Sequence, residues 1–365
     1  MRVLFASATE FQYLGAVLPA LEQRGYAFRK VGLDTLCGDG PRFLPASMRR
    51  YYHDRRMLQP YRDVIEEFRP DIVHVMGLRS YLLKTLAVLK DYPGIGLIYE
   101  RISAGGINIL SPLDPLLFRS DRIDRMVMPS KAMLNNWMGS AYTRLIARRE
   151  RCEPLHYAFP LPEPLGAEAR RALRLELGLD PDAFIVGTVC HIRPWKAVEF
   201  VAEAVSSIAT DRRLQFAVAG GWDARSGYVD TVRAAGGERL KLLGHVPEAH
   251  RIMGAFDLYV TPTFLPGESF GMAFAEAMAW GVPGITMNYG ASAEVCDHGF
   301  TGYALPENKA VWRRHIAELM QDDALRQAMG KAARQRIADR FTPEKRAADY
   351  DRVYRTVAEE RAARM

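Results

Sequence analysis

Residues 261–283 read TPTFLPGESFGMAFAEAMAWGVP, and the reading of this stretch organises the rest of the chain. Pro266-Gly267 makes a turn that opens an amphipathic helix. Glu268 sits in the turn, and Glu276 follows eight residues later, about two helical turns on. Ser269 is placed to cap the helix, and Gly271 removes a side chain where the first free backbone amides point outward. Unpaired amides and the helix dipole together favour an anion at such a start. The pattern therefore predicts a phosphate at residues 269–272, with one carboxylate on either side to accept hydroxyl hydrogen bonds. A sugar nucleotide carries that combination of groups. The spacing alone fits two solvated glutamates on any capped helix equally well. The turn, the glycine and the small-residue helix closing at Gly281-Val282-Pro283 make the whole string more specific.

A chain of 365 residues suits two domains of similar size. Its 48% hydrophobic and 25% charged residues describe a globular protein, and no apolar run reaches the roughly 18 residues of a membrane span. The start, MRVLFASATEF, lacks a cleavable-signal pattern and reads as a first buried strand. Four scattered cysteines, Cys37, Cys152, Cys190 and Cys296, show no metal-binding spacing and suit reduced thiols in a cytoplasm. A net charge of +6 points to an anionic partner without naming it.

Along the chain, apolar strands alternate with amphipathic helices. Residues 2–8 and 26–33 read as strands around a helix over 14–24, which opens a parallel α/β sheet. Further strands are expected at 70–77, 96–100 and 125–130. Residues 41–62, PRFLPASMRRYYHDRRMLQPYR, form the most basic and aromatic stretch. Arginines beside tyrosines can grip phosphates at a headgroup layer, which gives an expected peripheral contact with an anionic membrane; a solvated surface segment is the alternative. Nucleic acid is not expected, because no base-stacking or recognition-helix pattern accompanies the charge. Arg101 precedes a glycine-rich loop and is a candidate acceptor contact. The proline-punctuated residues 153–166 read as an interdomain linker. Strands over 183–189, 214–221, 240–246, 256–260 and 285–288 build the second sheet. Helices follow over 309–339 and from Thr342-Pro343-Glu344 onward.

The string ESFGMAFAEAMAWGVP, with Glu-x7-Glu, resembles the donor-binding motif of family 4 of the retaining, GT-B-fold glycosyltransferases. The resemblance is continuous over roughly 180–355 and rests mostly on layout over 1–165. It implies two doubly wound Rossmann-like domains facing across a cleft: an acceptor-side domain over 1–160, a donor domain over 161–341, and a helix over 342–365 crossing back to the first domain.

The implied reaction moves a sugar, with retention, from a nucleoside-diphosphate sugar to a hydroxyl of a glycan or glycolipid in cell-envelope synthesis. By that resemblance Glu268 is the catalytic residue at the donor sugar and Glu276 binds the ribose. The amides of Ser269, Phe270, Gly271 and Met272 hold the diphosphate. Cys190-His191-Ile192-Arg193-Pro194-Trp195-Lys196 is similar to the family's Gly-Arg-x-x-x-x-Lys loop, with Lys196 in register, His191 where the arginine stands and Arg193 as a shifted guanidinium. His245 and Val246 fall where the family's backbone meets the base. Gly290 and Glu294 fall in a loop behind the donor pocket.

On the acceptor side, Gly15 falls at the family's glycine loop. His74 matches the first histidine of a Pro-Asp-x-x-His-x-His segment in which Met76 replaces the second. No metal and no cofactor are implied. Asp349-Tyr350-Asp351 copies a metal motif of another fold and is expected to be helix surface. A non-catalytic sugar-nucleotide-binding subunit and a sugar-nucleotide epimerase or phosphorylase stay open. A nicotinamide enzyme does not fit, since no GxGxxG follows the first strand.

Overall fold

The computed structural model describes residues 1–7, 12–33, 36, 57–77, 79–102, 113–264 and 268–364. The basic residues 41–56, the loop after Arg101 and the Pro266-Gly267 turn lie outside the described residues. The chain divides into two units: Met1–Ala158 with Pro343–Met365, and Phe159–Thr342.

The first unit is built on β1 (Arg2–Ser7), β2 (Ala27–Gly32), β3 (Ile72–Met76), β4 (Gly96–Glu100), β5 (Arg125–Met128) and β6 (Cys152–Pro154). All pair in parallel, in the order β2-β1-β3-β4-β5-β6. Both faces of the central strands are covered, and β1, β3 and β4 are accordingly buried along nearly their whole length. The short β6 overlaps the start of the stretch expected to be linker. It is an edge strand, where Pro154 removes no donor that a further strand needs.

One face of this sheet packs against the helices Gln12–Glu22 and Pro343–Ala362. Ala347, Tyr350, Val353, Tyr354 and Val357 are each at most 1% exposed. They repeat at helical spacing, so the helix presents one apolar stripe to the sheet. Burial of each large side chain stabilises by roughly 1.5–3 kcal/mol relative to exposure. Tyr350 therefore belongs to the core, not to a helix surface. Its neighbour Asp351 accepts a 2.6 Å hydrogen bond from the Tyr26 hydroxyl.

The second unit carries β7 (Phe184–Val189), β8 (Leu214–Ala219), β9 (Leu240–Gly244), β10 (Leu258–Thr261), β11 (Gly284–Met287) and β12 (Gly302–Leu305). They are again all parallel, in the order β12-β11-β10-β7-β8-β9. The order reverses beside β7 and β10, which places a crevice at the carboxyl ends of those two strands. Gly220, after β8, lets the backbone at Cys190 approach closely. At φ +142°, a Cβ there would lie 1.8 Å from the Cys190 carbonyl oxygen. Among the described residues, no helix is long and apolar enough to cross a membrane.

Candidate active site

The carboxyl ends of β7 and β10 and the start of the helix Met272–Ala279 enclose a cavity of about 220 Å³. Its wall includes His191, Lys196, Glu268, Ser269, Gly271 and Met272. Six residues expected at the donor site therefore meet in one place. The helix begins at Met272, with Gly271 as its N-cap and no side-chain capping bond, so Ser269 precedes the helix and does not cap it. The geometry explains the glycine: Gly271 sits at φ +89°, and a Cβ there would come within 2.3 Å of Ser292 Oγ.

Glu268 is held, and only in part. Its Oε1 receives Lys196 Nζ and, at 3.1 Å, the Thr263 hydroxyl. Both contacts converge on one oxygen, which leaves Oε2 for a hydroxyl donor. The two side chains of the pair are each 22% exposed. Lys196 is placed by the tight turn Pro194–Lys196, which Ala197 ends in the left-handed region at φ +47°.

Tyr259, on β10, fixes the facing wall. Its hydroxyl accepts from Val189 N at 3.1 Å and lies 3.3 Å from Val189 O, which pins the end of β7. Cys190 follows that end, and burial pushes its thiol up to about 11, which disfavours the thiolate. Tyr259, Thr263 and Cys190 escape a sequence reading. Tyr259 looks like ordinary strand core, although the threonines of TPTF lie in plain view beside the glutamate.

Other expected donor residues stand elsewhere. Phe270 is fully buried, stacked at 5.8 Å on Phe159 and edge-on at 5.8 Å to Phe341. It anchors the turn with its ring and leaves only its backbone to face a ligand. Phe159 N also donates to Phe341 O at 2.7 Å, so the two chain crossings of this unit meet behind Phe270. Arg193 is exposed, with its guanidinium 5.0 Å from the Trp195 ring centre, and it does not line the cavity. Glu276 is half-buried in the second turn of the helix, outside the cavity wall. His245 and Val246 follow β9, also outside that wall. Glu294 lies in the short helix Ser292–Val295, not in a loop.

The acceptor-side candidates are corrected more sharply. His74 is 0% exposed in the middle of β3. Its Nδ1 lies 2.8 Å from the Tyr354 hydroxyl and its Nε2 3.3 Å from Glu100 Oε2. Glu100 in turn accepts from Arg346 at 2.6 Å and from Tyr350 at 2.7 Å. Arg346 also reaches the carbonyls of Leu155 and His156. Burial alone would raise the Glu100 carboxyl; Arg346, with His74 and Tyr350, brings it down to about 2. His74 is thus a buried residue whose ring nitrogens face Tyr354 and Glu100. Arg101 is 4% exposed, with its guanidinium 5.6 Å from the Trp137 ring centre, and burial lowers its pKa below the usual range. Gly15 lies within the helix Gln12–Glu22, exposed and not in a loop.

A parallel-sheet unit whose strand ends and helix start surround a Lys–Glu pair has the layout of one Rossmann-like half of a GT-B fold. Comparison with known proteins agrees. Residues 169–336 match the family "Glycosyl transferases group 1". N-acetyl-alpha-D-glucosaminyl L-malate synthase of Bacillus anthracis is 29% identical over 185 residues, 50% of this chain and 48% of the relative. D-inositol 3-phosphate glycosyltransferase of Corynebacterium glutamicum is 29% identical over 184 residues, 47% of this chain and 44% of the relative. The chain thus spans about half the length of the curated relatives it matches. The Anabaena protein HepE, crystallised with UDP and glucose, superposes with a TM-score of 0.73 at 17% identity, over 98% of this chain and 100% of that one. That likeness establishes the GT-B fold.

Proposed function

We propose that the protein transfers a sugar, with retention at the anomeric carbon, from a nucleoside-diphosphate sugar to an acceptor hydroxyl. The observation that carries the reading is the Glu268 carboxylate, tethered through one oxygen to Lys196 and Thr263 at the mouth of the Met272–Ala279 helix. In this reading the donor diphosphate takes the helix-start amides and competes with Glu268 for Lys196. Glu268 Oε2 accepts a sugar hydroxyl and faces the positive charge that grows on the sugar as the diphosphate leaves. Lys196 and the amides stabilise the departing charge, so the step needs no metal. His191 lies at the same wall and joins the diphosphate site, while Glu276 binds the ribose.

The acceptor is a glycan or glycolipid hydroxyl, as cell-envelope polysaccharide or lipopolysaccharide synthesis would require. The names of the two relatives add L-malate and D-inositol 3-phosphate to the acceptors worth testing.

Titration calorimetry of UDP, GDP and ADP against wild type and Glu276→Ala tests the donor site. One nucleotide is expected to bind, and about tenfold more weakly to the variant, as the loss of a charge-assisted hydrogen bond implies. No binding of any nucleotide overturns the reading. With the donor known, the anomeric coupling constant of the product, read by NMR, decides retention against inversion.

A further inference from the structure

Beside Glu268 lies a second and much smaller cavity of about 10 Å³. Thr261, Thr263, Glu268, Thr286, Tyr289 and Ser292 contribute to its wall, so it adjoins the larger cavity through Thr261, Thr263 and Glu268. Its volume suits one oxygen-bearing group. Ser292 is 3% exposed, and its Oγ is buried without a hydrogen-bond partner. Buried hydroxyls seldom lack one, because an unmade bond forfeits their hydration with no return. Gly271 packs close beside it, since a Cβ there would lie 2.3 Å from the Oγ. Thr263 already donates to Glu268 Oε1, whereas Oε2 has no partner among the described residues.

We infer that this cavity receives a single hydroxyl oxygen, which bonds Ser292 and donates to the Glu268 carboxylate, and that Ser292 is thereby a positioning residue for Glu268. The inference rests on the donor reading for its catalytic meaning, though not for the chemistry of the cavity. Two sources offer that oxygen: an ordered water, or a hydroxyl of the donor sugar reaching past Glu268. A hydroxyl fits the volume and an acetamido group does not, so the second source would make Ser292 a selector of the sugar.

The test pairs crystallography with binding. High-resolution crystal structures of the wild type are compared with and without the nucleotide and its glucose conjugate (UDP and UDP-glucose first, then the GDP and ADP pairs). An oxygen about 2.7–3.0 Å from Ser292 Oγ is expected. Ser292→Ala is then measured against wild type. Glucose-conjugate affinity falling about tenfold, with the diphosphate unchanged, supports the sugar hydroxyl. Unchanged affinities, with kcat falling about tenfold at constant KM and the oxygen seen without ligand, support the water. A Ser292 hydroxyl bonded to protein, no oxygen beside it and a variant indistinguishable from wild type overturn the inference. Failure of every nucleotide to bind wild type would fall on the donor reading alone, and the ligand-free crystal structure would still decide the cavity.

Discussion

Glu100 and Glu268 each meet a cation and a hydroxyl, and they differ in what is left over. Around Glu100 both carboxylate oxygens are used, by Arg346 and Tyr350, and the glutamate and arginine are 0% and 4% exposed. Around Glu268 a single oxygen takes Lys196 and Thr263, and the pair stays 22% exposed at a cavity. The chemistry is nearly the same. Burial and stoichiometry make the first a clasp within the fold and the second a group with capacity to bind.

Arg346→Ala should show the largest effect, because it leaves the Glu100 charge buried without its main partner. A loss of about 3–5 kcal/mol is expected, read as a lowered urea midpoint. Lys196→Ala should cost less than about 1 kcal/mol, since that pair is partly solvated. Equal losses in the two variants would break the contrast.

Acid should reveal the same clasp. The folded Glu100 carboxyl, at about 2, lies below its ordinary 4.5. Its stabilisation is therefore present above pH 4.5 and is lost as pH falls toward 2, with a magnitude of roughly 3 kcal/mol. Unfolding midpoints measured across that window should slope steeply in wild type, and Glu100→Gln should flatten the slope. An unchanged slope would place the acid sensitivity elsewhere.

Two glycines sharpen the comparison at smaller scale. Gly271→Ala forces a side chain into the left-handed region and against Ser292, at a cost of about 1–3 kcal/mol by thermal unfolding, with weaker nucleotide binding. Gly15→Ala meets nothing within 4 Å and sits in a helix, so it should raise stability by about 0.5–1 kcal/mol. A loss at position 15 would mean that its backbone does more than continue a helix.

The parts of this protein legible in sequence are those that depend on neighbours in sequence. Apolar runs and their spacing place the strands, and Lys196, Glu268 and Gly271 come from two short local patterns that do meet at one cavity. Contacts across long separations are not legible in that way. Glu100 and Arg346 are 246 residues apart, and nothing local marks either as half of a pair. His74 is singled out by its match to the family's Pro-Asp-x-x-His segment, yet Tyr354, which meets its Nδ1, sits on a helix 280 residues away. The strand Cys152–Pro154 is hidden by its proline, which an edge position tolerates. Ser292 gives no sequence signal at all; its unmet hydroxyl is visible only once Gly271 is packed on it.

The helix Pro343–Ala362 lends its apolar stripe to a unit whose other parts end at Ala158. During synthesis the ribosome must therefore deliver all of residues 159–342 before the first sheet can close its second face. At about 5–20 residues per second, that is a wait of roughly 10–40 seconds. Through that interval Val3, Phe5, Ile72 and Ile98 lack their final cover, while the second unit, continuous in sequence, can already fold. A nascent chain stalled before residue 343 is thus where chaperone capture of this protein should concentrate.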